Sequence, residues 1–159
     1  MGQRVVATLA LLLVLTACQD NSGDDAPGSG KTTDADCATR IPDSVFNTLR
    51  WSPPKAAEAT VRGCHREAKQ GYVEVRDRTG YDTLCKTLDR SGGVSPGVPA
   101  DWLGPDVVGC AVEPSGDVGQ TRVVVQREGD HVTEITVAVL TSTAQEQVRA
   151  AVEELVGTG

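Results

Sequence analysis

The fold is decided by the stretch TRVVVQREGDHVTEITVAVL, which runs from Thr121 to Leu140. Its first part, Thr121–Arg127, is rich in valine, and its last part, Thr133–Leu140, alternates apolar with polar residues. The apolar positions of the last part are Ile135, Val137 and Val139. The intervening Glu128–His131 contains the glycine that a tight hairpin turn favours. We therefore predict an antiparallel hairpin with one face buried in a hydrophobic core.

Further elements on either side of this hairpin follow from the spacing of apolar residues. Short apolar or alternating segments predict three more strands: Thr60–Glu67, Tyr72–Asp77 and Val107–Glu113. Apolar residues at helical spacing predict three helices: Pro42–Arg50, Tyr81–Asp89 and Ala144–Val156. Thr143 and Glu146 have the spacing of a capping box before the last helix. The sequence thus predicts an α+β fold, an antiparallel sheet of about four to six strands with two or three helices packed on one face.

The first 18 residues have the features of an exported precursor. Arg4 precedes an apolar run that ends at Leu15 and is too short to span a bilayer as a helix. Leu15-Thr16-Ala17-Cys18 follows, and the segment resembles the lipobox of bacterial lipoproteins. The resemblance implies that residues 1–17 are a signal peptide, that lipid is attached to Cys18, and that this lipid anchors the protein to the extracytoplasmic face of the cell membrane. The alternative is an ordinary signal peptide whose cysteine is incidental.

An acidic segment separates this anchor from the remainder of the chain. Residues 19–36 contain five aspartates, one lysine and no aromatic or large aliphatic residue. Such a segment cannot bury enough surface to offset its ordering entropy, so residues 18–36 are predicted to be a lipidated cysteine and a disordered tether. The net charge of −7 becomes −8 when Arg4 is removed with the signal peptide. This charge and the lack of a basic stripe argue against nucleic-acid binding.

The remaining residues, 37–157, have the length of one small domain and contain the other four cysteines. An even number in an exported domain predicts two disulfides, and three pairings are open. Residues 61–67 match residues 107–113 at Val, Gly, Cys and Glu, which suggests two repeated Cys–helix–strand–strand units. We therefore favour Cys37–Cys64 and Cys85–Cys110. No Cys-x-x-Cys occurs, so zinc binding by these cysteines is disfavoured.

The domain also resembles small disulfide-bearing lipoproteins of actinobacteria that have no assigned activity. The pattern is Cys-x-x-x-Ile-Pro-Asp-Ser-Val-x-x-x-Leu from Cys37 to Leu49, followed by Gly-Cys-x-x-Glu and a strand. The resemblance implies a fold and does not imply a reaction.

Four short features contain residue types that are used in nucleotide binding or catalysis, and none meets the requirements of that chemistry. Gly28–Thr32 ends like a phosphate-binding loop, but Asp25 stands where the first glycine is needed, so no nucleotide is expected. Ser52–Lys55 has Ser-x-x-Lys spacing, but two prolines prevent the helical turn that this chemistry needs. His65 and His131 have no partner carboxylate that the sequence identifies. We therefore predict no catalytic residue, no metal and no cofactor.

A long Gly- and Pro-rich segment, Ser91–Gly104, is the candidate binding loop because it carries Trp102 and Leu103. An exposed tryptophan can anchor a partner, or it can close the end of a core. Trp51 is predicted to pack in the core. The sequence thus favours a non-enzymatic binding domain of the cell envelope, whose partner is an envelope protein or a small ligand. The alternative is an envelope hydrolase.

Overall fold

The computed structural model describes residues 32–88 and 96–157. Within these residues the chain forms four α-helices, one 3-10 helix and a seven-stranded antiparallel sheet. The helices are α1 (Asp34–Arg40), α2 (Asp43–Thr48), α3 (Tyr81–Thr87) and α4 (Gln145–Gly157), and the 3-10 helix is Asp101–Leu103. The strands are β1 (Glu58–Thr60), β2 (Gly63–Ala68), β3 (Gly71–Thr79), β4 (Val98–Pro99), β5 (Gly109–Val112), β6 (Gly119–Gln126) and β7 (His131–Val139). The predicted α+β class is confirmed.

The hairpin predicted from residues 121–140 forms the centre of the sheet. The strand order is β1-β2-β3-β7-β6-β5-β4, so β7 lies in the middle. Val123 of β6 lies opposite Ile135 of β7, and Val75 of β3 lies opposite Ile135 on the other side. Both neighbours of β7 run antiparallel to it, and β3 and β6 are therefore parallel to each other.

The helices cover both faces of the sheet rather than the single face that the sequence predicted. Ile135, Val137 and Val139 face the main core, which is covered by α1, α2 and α4. Helix α3 packs instead on the opposite face, where Val124 and Val132 form a smaller apolar cluster. Because side chains alternate along a strand, these two valines point away from the main core and require separate cover.

Two short edge strands raise the sheet beyond the predicted four to six strands. The predicted strand Thr60–Glu67 is divided, because Thr60 pairs with Gly63 across a tight turn and Val61 is fully exposed there. Gly63 allows close approach to β3, since a Cβ at this position would lie 2.0 Å from the carbonyl oxygen of Val75. The other edge strand, β4, lies within the segment predicted to be a loop.

The end of the predicted tether is ordered as the start of α1. The Thr33 hydroxyl accepts a hydrogen bond from the Asp36 backbone NH, and the Asp36 carboxylate accepts from the Thr33 backbone NH. Asp34 accepts a hydrogen bond of 2.7 Å from the backbone NH of Ala59. Acidic residues in the first helical turn are favoured by the helix dipole. Two of the five aspartates that suggested disorder, Asp34 and Asp36, therefore stabilise this helix.

Two disulfides link Cys37 to Cys64 and Cys85 to Cys110, as the sequence predicted. Each disulfide joins a helix to a short strand. The first set of elements is α1, β1, β2 and β3, and the second is α3, β4, β5 and β6. The two sets occupy corresponding places on either side of β7, where β3 and β6 are parallel and α1 and α3 lie on opposite faces of the sheet.

Candidate functional site

A groove of about 420 Å³ opens beside the Cys85–Cys110 disulfide. Its walls come from α3, from β4 with the 3-10 helix, and from the start of β5. Its lining includes Tyr81, Cys85, Pro99, Asp101, Val108 and Cys110. A volume of this size falls within the range that small-molecule and peptide side-chain pockets occupy, roughly 300–1,000 Å³.

The groove is held open by backbone contacts between its walls. The backbone NH of Gly97 donates to the carbonyl oxygen of Cys85 over 3.3 Å, and that of Ala100 donates to Gly109 over 3.0 Å. A Cβ at position 97 would lie 3.0 Å from the Cys85 carbonyl oxygen, so glycine lets the chain approach α3 closely. The disulfide between Cys85 and Cys110 fixes α3 to β5. These contacts join the three walls of the groove to one another.

Apolar side chains at the groove are exposed to solvent. Val108 lines the groove and is 58% exposed. Pro99, the last residue of β4, forms part of the wall and is also exposed. The groove therefore offers an aliphatic surface that nothing in the described chain covers.

The charge around the groove is negative. Asp101 lines it, and a neighbouring cavity of about 250 Å³ shares Tyr81 and adds Asp82 and Asp130. Among the described residues, neither cavity is lined by a lysine or an arginine. Burial raises the pKa of the Tyr81 hydroxyl, and the carboxylate of Asp82 raises it further. The Tyr81 ring thus lies between two acidic surfaces.

The structure places the predicted binding residues Trp102 and Leu103 against the main core, not in the groove. The guanidinium carbon of Arg149 lies 5.5 Å from the centre of the Trp102 ring, over its face. Arg149 in turn donates to both carboxylate oxygens of Glu113, over 2.7 and 2.6 Å. Trp102 is thereby clamped to α4. The part of the predicted loop at positions 91–95 lies outside the described residues.

The sequence alone does not identify Tyr81, Asp101 and Val108 as groove residues. Tyr81 begins the predicted helix Tyr81–Asp89, and Val108 belongs to the predicted strand Val107–Glu113. Their local patterns fit those assignments, since Tyr81 does pack partly against the smaller apolar cluster. Only the tertiary arrangement of α3, β4 and β5 shows that their free sides meet. No local signal in the sequence distinguishes them from ordinary packing residues.

The two histidines occupy the surface of the sheet. His65 stacks on Tyr72, with the ring centres 5.1 Å apart, and His131 is exposed at the start of β7. Close by, the amide nitrogen of Gln120 donates to the Tyr72 hydroxyl over 3.1 Å. In the described ranges no group of three or more His, Cys, Asp or Glu side chains could hold a metal ion.

The other candidate residues engage separate partners or lie beyond the described chain. The Ser52 hydroxyl donates to the Gln70 side-chain oxygen over 2.8 Å, and the Lys55 ammonium pairs with Glu67 at 2.6 Å. Cys18 and positions 28–31 lie outside the described residues. Trp51 is buried as predicted, and its indole NH donates to the Thr143 hydroxyl over 2.9 Å.

No helix of the described chain is both long enough and apolar enough to cross a membrane. No protein-family model, curated protein or solved structure matches this chain. Since a fold by itself does not define a function, function is argued from the residues of the site.

Proposed function

We propose that this chain is a lipid-anchored, extracytoplasmic binding domain of a bacterial cell envelope and that it is not an enzyme. Cys18 carries the lipid, residues 1–17 are removed as a signal peptide, and the groove beside the Cys85–Cys110 disulfide receives the partner. The partner is an envelope component, either a protein segment or a small ligand.

The observation that carries the proposal is the pairing of the four cysteines that follow Cys18. They form two disulfides, Cys37–Cys64 and Cys85–Cys110, and leave Cys18 as the fifth cysteine of the chain. Disulfides of this kind persist in oxidising compartments outside the cytoplasm. An unpaired thiol in such a compartment needs an explanation, and lipidation directly after a secretory apolar run provides one.

The length of the proposed tether suits a domain held close to the membrane. Roughly 15 residues separate Cys18 from Thr33, where α1 is capped. Fifteen residues span at most about 50 Å, so the domain would lie within that distance of the lipid. The aspartates of this segment would be repelled by an anionic membrane surface.

The groove supports binding more strongly than the surface polar groups support catalysis. It combines exposed aliphatic residues with nearby carboxylates, which is the composition of a recognition surface. His65 stacks on Tyr72, and Ser52 bonds to Gln70, so these polar groups already have structural contacts. No observation favours the hydrolase alternative.

The anchor is tested by expressing the full chain in a bacterial host with radiolabelled palmitate. We expect label on the protein, membrane fractionation, and a mature N-terminus at Cys18 by mass spectrometry. The variant Cys18→Ala should lose all three properties. An inhibitor of lipoprotein signal peptidase should cause the precursor with residues 1–17 to accumulate. Unlabelled protein in the soluble fraction, or membrane retention of the Cys18→Ala variant, would show that the anchor is wrong.

A further inference from the structure

We infer that the groove beside the Cys85–Cys110 disulfide binds an extended cationic peptide segment in which an aliphatic side chain alternates with Lys or Arg. This inference rests on the proposed function, because it names the ligand class of that binding surface. Its two parts are an apolar contact made by the groove wall and a charge contact made by the surrounding carboxylates.

The apolar contact is provided by Val108 and Pro99, which both line the groove. Both side chains are exposed, Val108 by 58%. Transfer of such side chains out of water is favourable in proportion to the apolar area that becomes buried. The buried Cys110 lies at the base of the same groove. An aliphatic side chain of the ligand would therefore displace water from this apolar surface.

The charge contact follows from the distribution of carboxylates around Tyr81. Asp101 lies on one side of it, and Asp82 and Asp130 lie on the other. None of these three carboxylates forms a salt bridge within the described residues, although Asp130 accepts a hydrogen bond of 3.2 Å from the backbone NH of Gly80. A cation placed here gains attraction to the carboxylates. The net charge of −7 adds a longer-range attraction for a cationic partner.

The position of β4 favours an extended ligand rather than a compact one. Strand β4 is the last strand of the sheet, and its pairing to β5 joins Val98 to Ala111 and Pro99 to Cys110. Pro99 and Cys110 are opposite each other in neighbouring strands and both line the groove, so an extended segment that follows β4 would contact both. Because Pro99 has no backbone NH, it cannot donate a main-chain hydrogen bond to the ligand. Discrimination between ligands then depends on the side-chain contacts.

Beyond the groove, on the side of the sheet that carries α3, the charged side chains are paired within the protein. Glu134 there is buried and forms salt bridges with Arg78 and Arg122. The hydrogen bond from Gln120 to Tyr72 spans Ala138, which lies between them in the sheet and is buried. Its charges and polar groups are therefore matched within the protein, in contrast to those of the groove.

The test uses the full chain in neutral detergent micelles and a fluorescein-labelled pentapeptide amide, Lys-Val-Lys-Val-Lys, followed by fluorescence anisotropy. Two matched peptides replace every lysine by glutamate or by serine. We expect the lysine peptide to bind about tenfold more tightly than the glutamate peptide, and to weaken as salt is added. The serine peptide should lie between them.

Three variants separate the contacts. Asp101→Asn should weaken the lysine peptide about two- to fivefold, which is the range of exposed ion pairs. Val108→Ser should weaken the lysine and serine peptides alike, and its exposed position means that the fold is retained. Glu153→Gln is the matched control, because it removes one exposed carboxylate from α4, away from the groove, and should change nothing.

The inference is overturned if the glutamate peptide binds as tightly as the lysine peptide, or if Asp101→Asn behaves like Glu153→Gln. Mass spectrometry on the same preparation reports the lipid on Cys18. A lipidated protein that does not bind the lysine peptide overturns the ligand class and leaves the anchor standing. A protein that binds the peptide but carries no lipid supports the ligand class and overturns the anchor.

Discussion

Removal of the two disulfides should have unequal effects on stability, although their loops are nearly equal. The sequence separations are 27 for Cys37–Cys64 and 25 for Cys85–Cys110. In the chain-entropy model, each bridge then contributes about 3.5 kcal/mol to the free energy of unfolding at 25 °C. Loop length alone therefore predicts the same cost for Cys37→Ala/Cys64→Ala as for Cys85→Ala/Cys110→Ala.

Burial makes the first double substitution more costly. Cys37 and Cys64 are both 0% exposed within the main core, whereas Cys85 is only partly buried beside the groove. A buried sulfur is comparable in size to a buried methylene, and its removal also leaves a small cavity. We expect this to add roughly 1–2 kcal/mol to the cost of removing Cys37–Cys64.

The assay is urea unfolding followed by far-ultraviolet circular dichroism, with the same slope m fitted to both variants where the data allow it. We expect the urea concentration at the unfolding midpoint to fall further for Cys37→Ala/Cys64→Ala than for the other variant. If only Cys37→Ala/Cys64→Ala fails to fold at 25 °C, that result also supports a larger cost for this variant. Equal costs would show that burial of the bridge does not matter here. A larger cost for Cys85→Ala/Cys110→Ala would refute the reasoning entirely.

Three further outcomes are expected. A water-soluble phosphine should reduce Cys85–Cys110 before Cys37–Cys64, because Cys85 is partly accessible. Alkylation followed by peptide mass mapping measures the order of reduction, and simultaneous loss of both bridges would contradict this expectation. Hydrogen bonding from Arg149 lowers the pKa of Glu113, so this stabilisation is present above the pKa of the unfolded chain and is lost as pH falls through the lower folded value. Glu113→Gln should therefore cost about 1 kcal/mol at pH 7 and less at pH 3, measured by urea unfolding; the same cost at both pH values would show that the ion pair is not responsible. Gly63→Ala should cost at least about 2 kcal/mol in the same assay because its Cβ would lie 2.0 Å from the Val75 carbonyl oxygen, whereas Gly116→Ala, which has open space, should change stability by less than about 0.5 kcal/mol.

The parts of the fold that depend on local pattern could be predicted from the sequence. The hairpin over residues 121–140 combines two strands of the right period with a glycine turn, and its register follows from the burial of Ile135 and its neighbours. The match between residues 61–67 and residues 107–113 suggested two repeated units, each with an earlier cysteine, and this favoured the disulfide pairing that the structure has.

The parts that depend on distant contacts could not be predicted. Helix α1 begins in an acidic segment whose composition indicates disorder, and Asp34 is fixed by the backbone of Ala59. Helix α3 has an apolar stripe that fits either face of a sheet, so its packing against Val124 and Val132 depends on which face the other helices leave open. Local periodicity carries no information on either point.

The candidate site also depends on contacts between residues that are distant in the sequence. A tryptophan in a Gly- and Pro-rich loop is a reasonable candidate anchor, but Arg149, far along the sequence, lies over the Trp102 ring. The groove instead forms from Val108, Asp101 and Tyr81, which belong to three separate elements. Each of these residues is unremarkable in its own segment, so only their meeting in space identifies the surface.

The unequal cover on the two faces of the sheet explains why the groove accompanies the second disulfide. On the face that carries α1, helices α2 and α4 add further cover, and Cys37 and Cys64 are completely buried. On the opposite face α3 packs against a much smaller cluster, and Cys85 remains partly accessible. The groove therefore lies on the less covered face, beside the partly accessible disulfide. Since Val108 is exposed and contributes little to the core, Val108→Ser can change binding while the free energy of unfolding stays nearly constant.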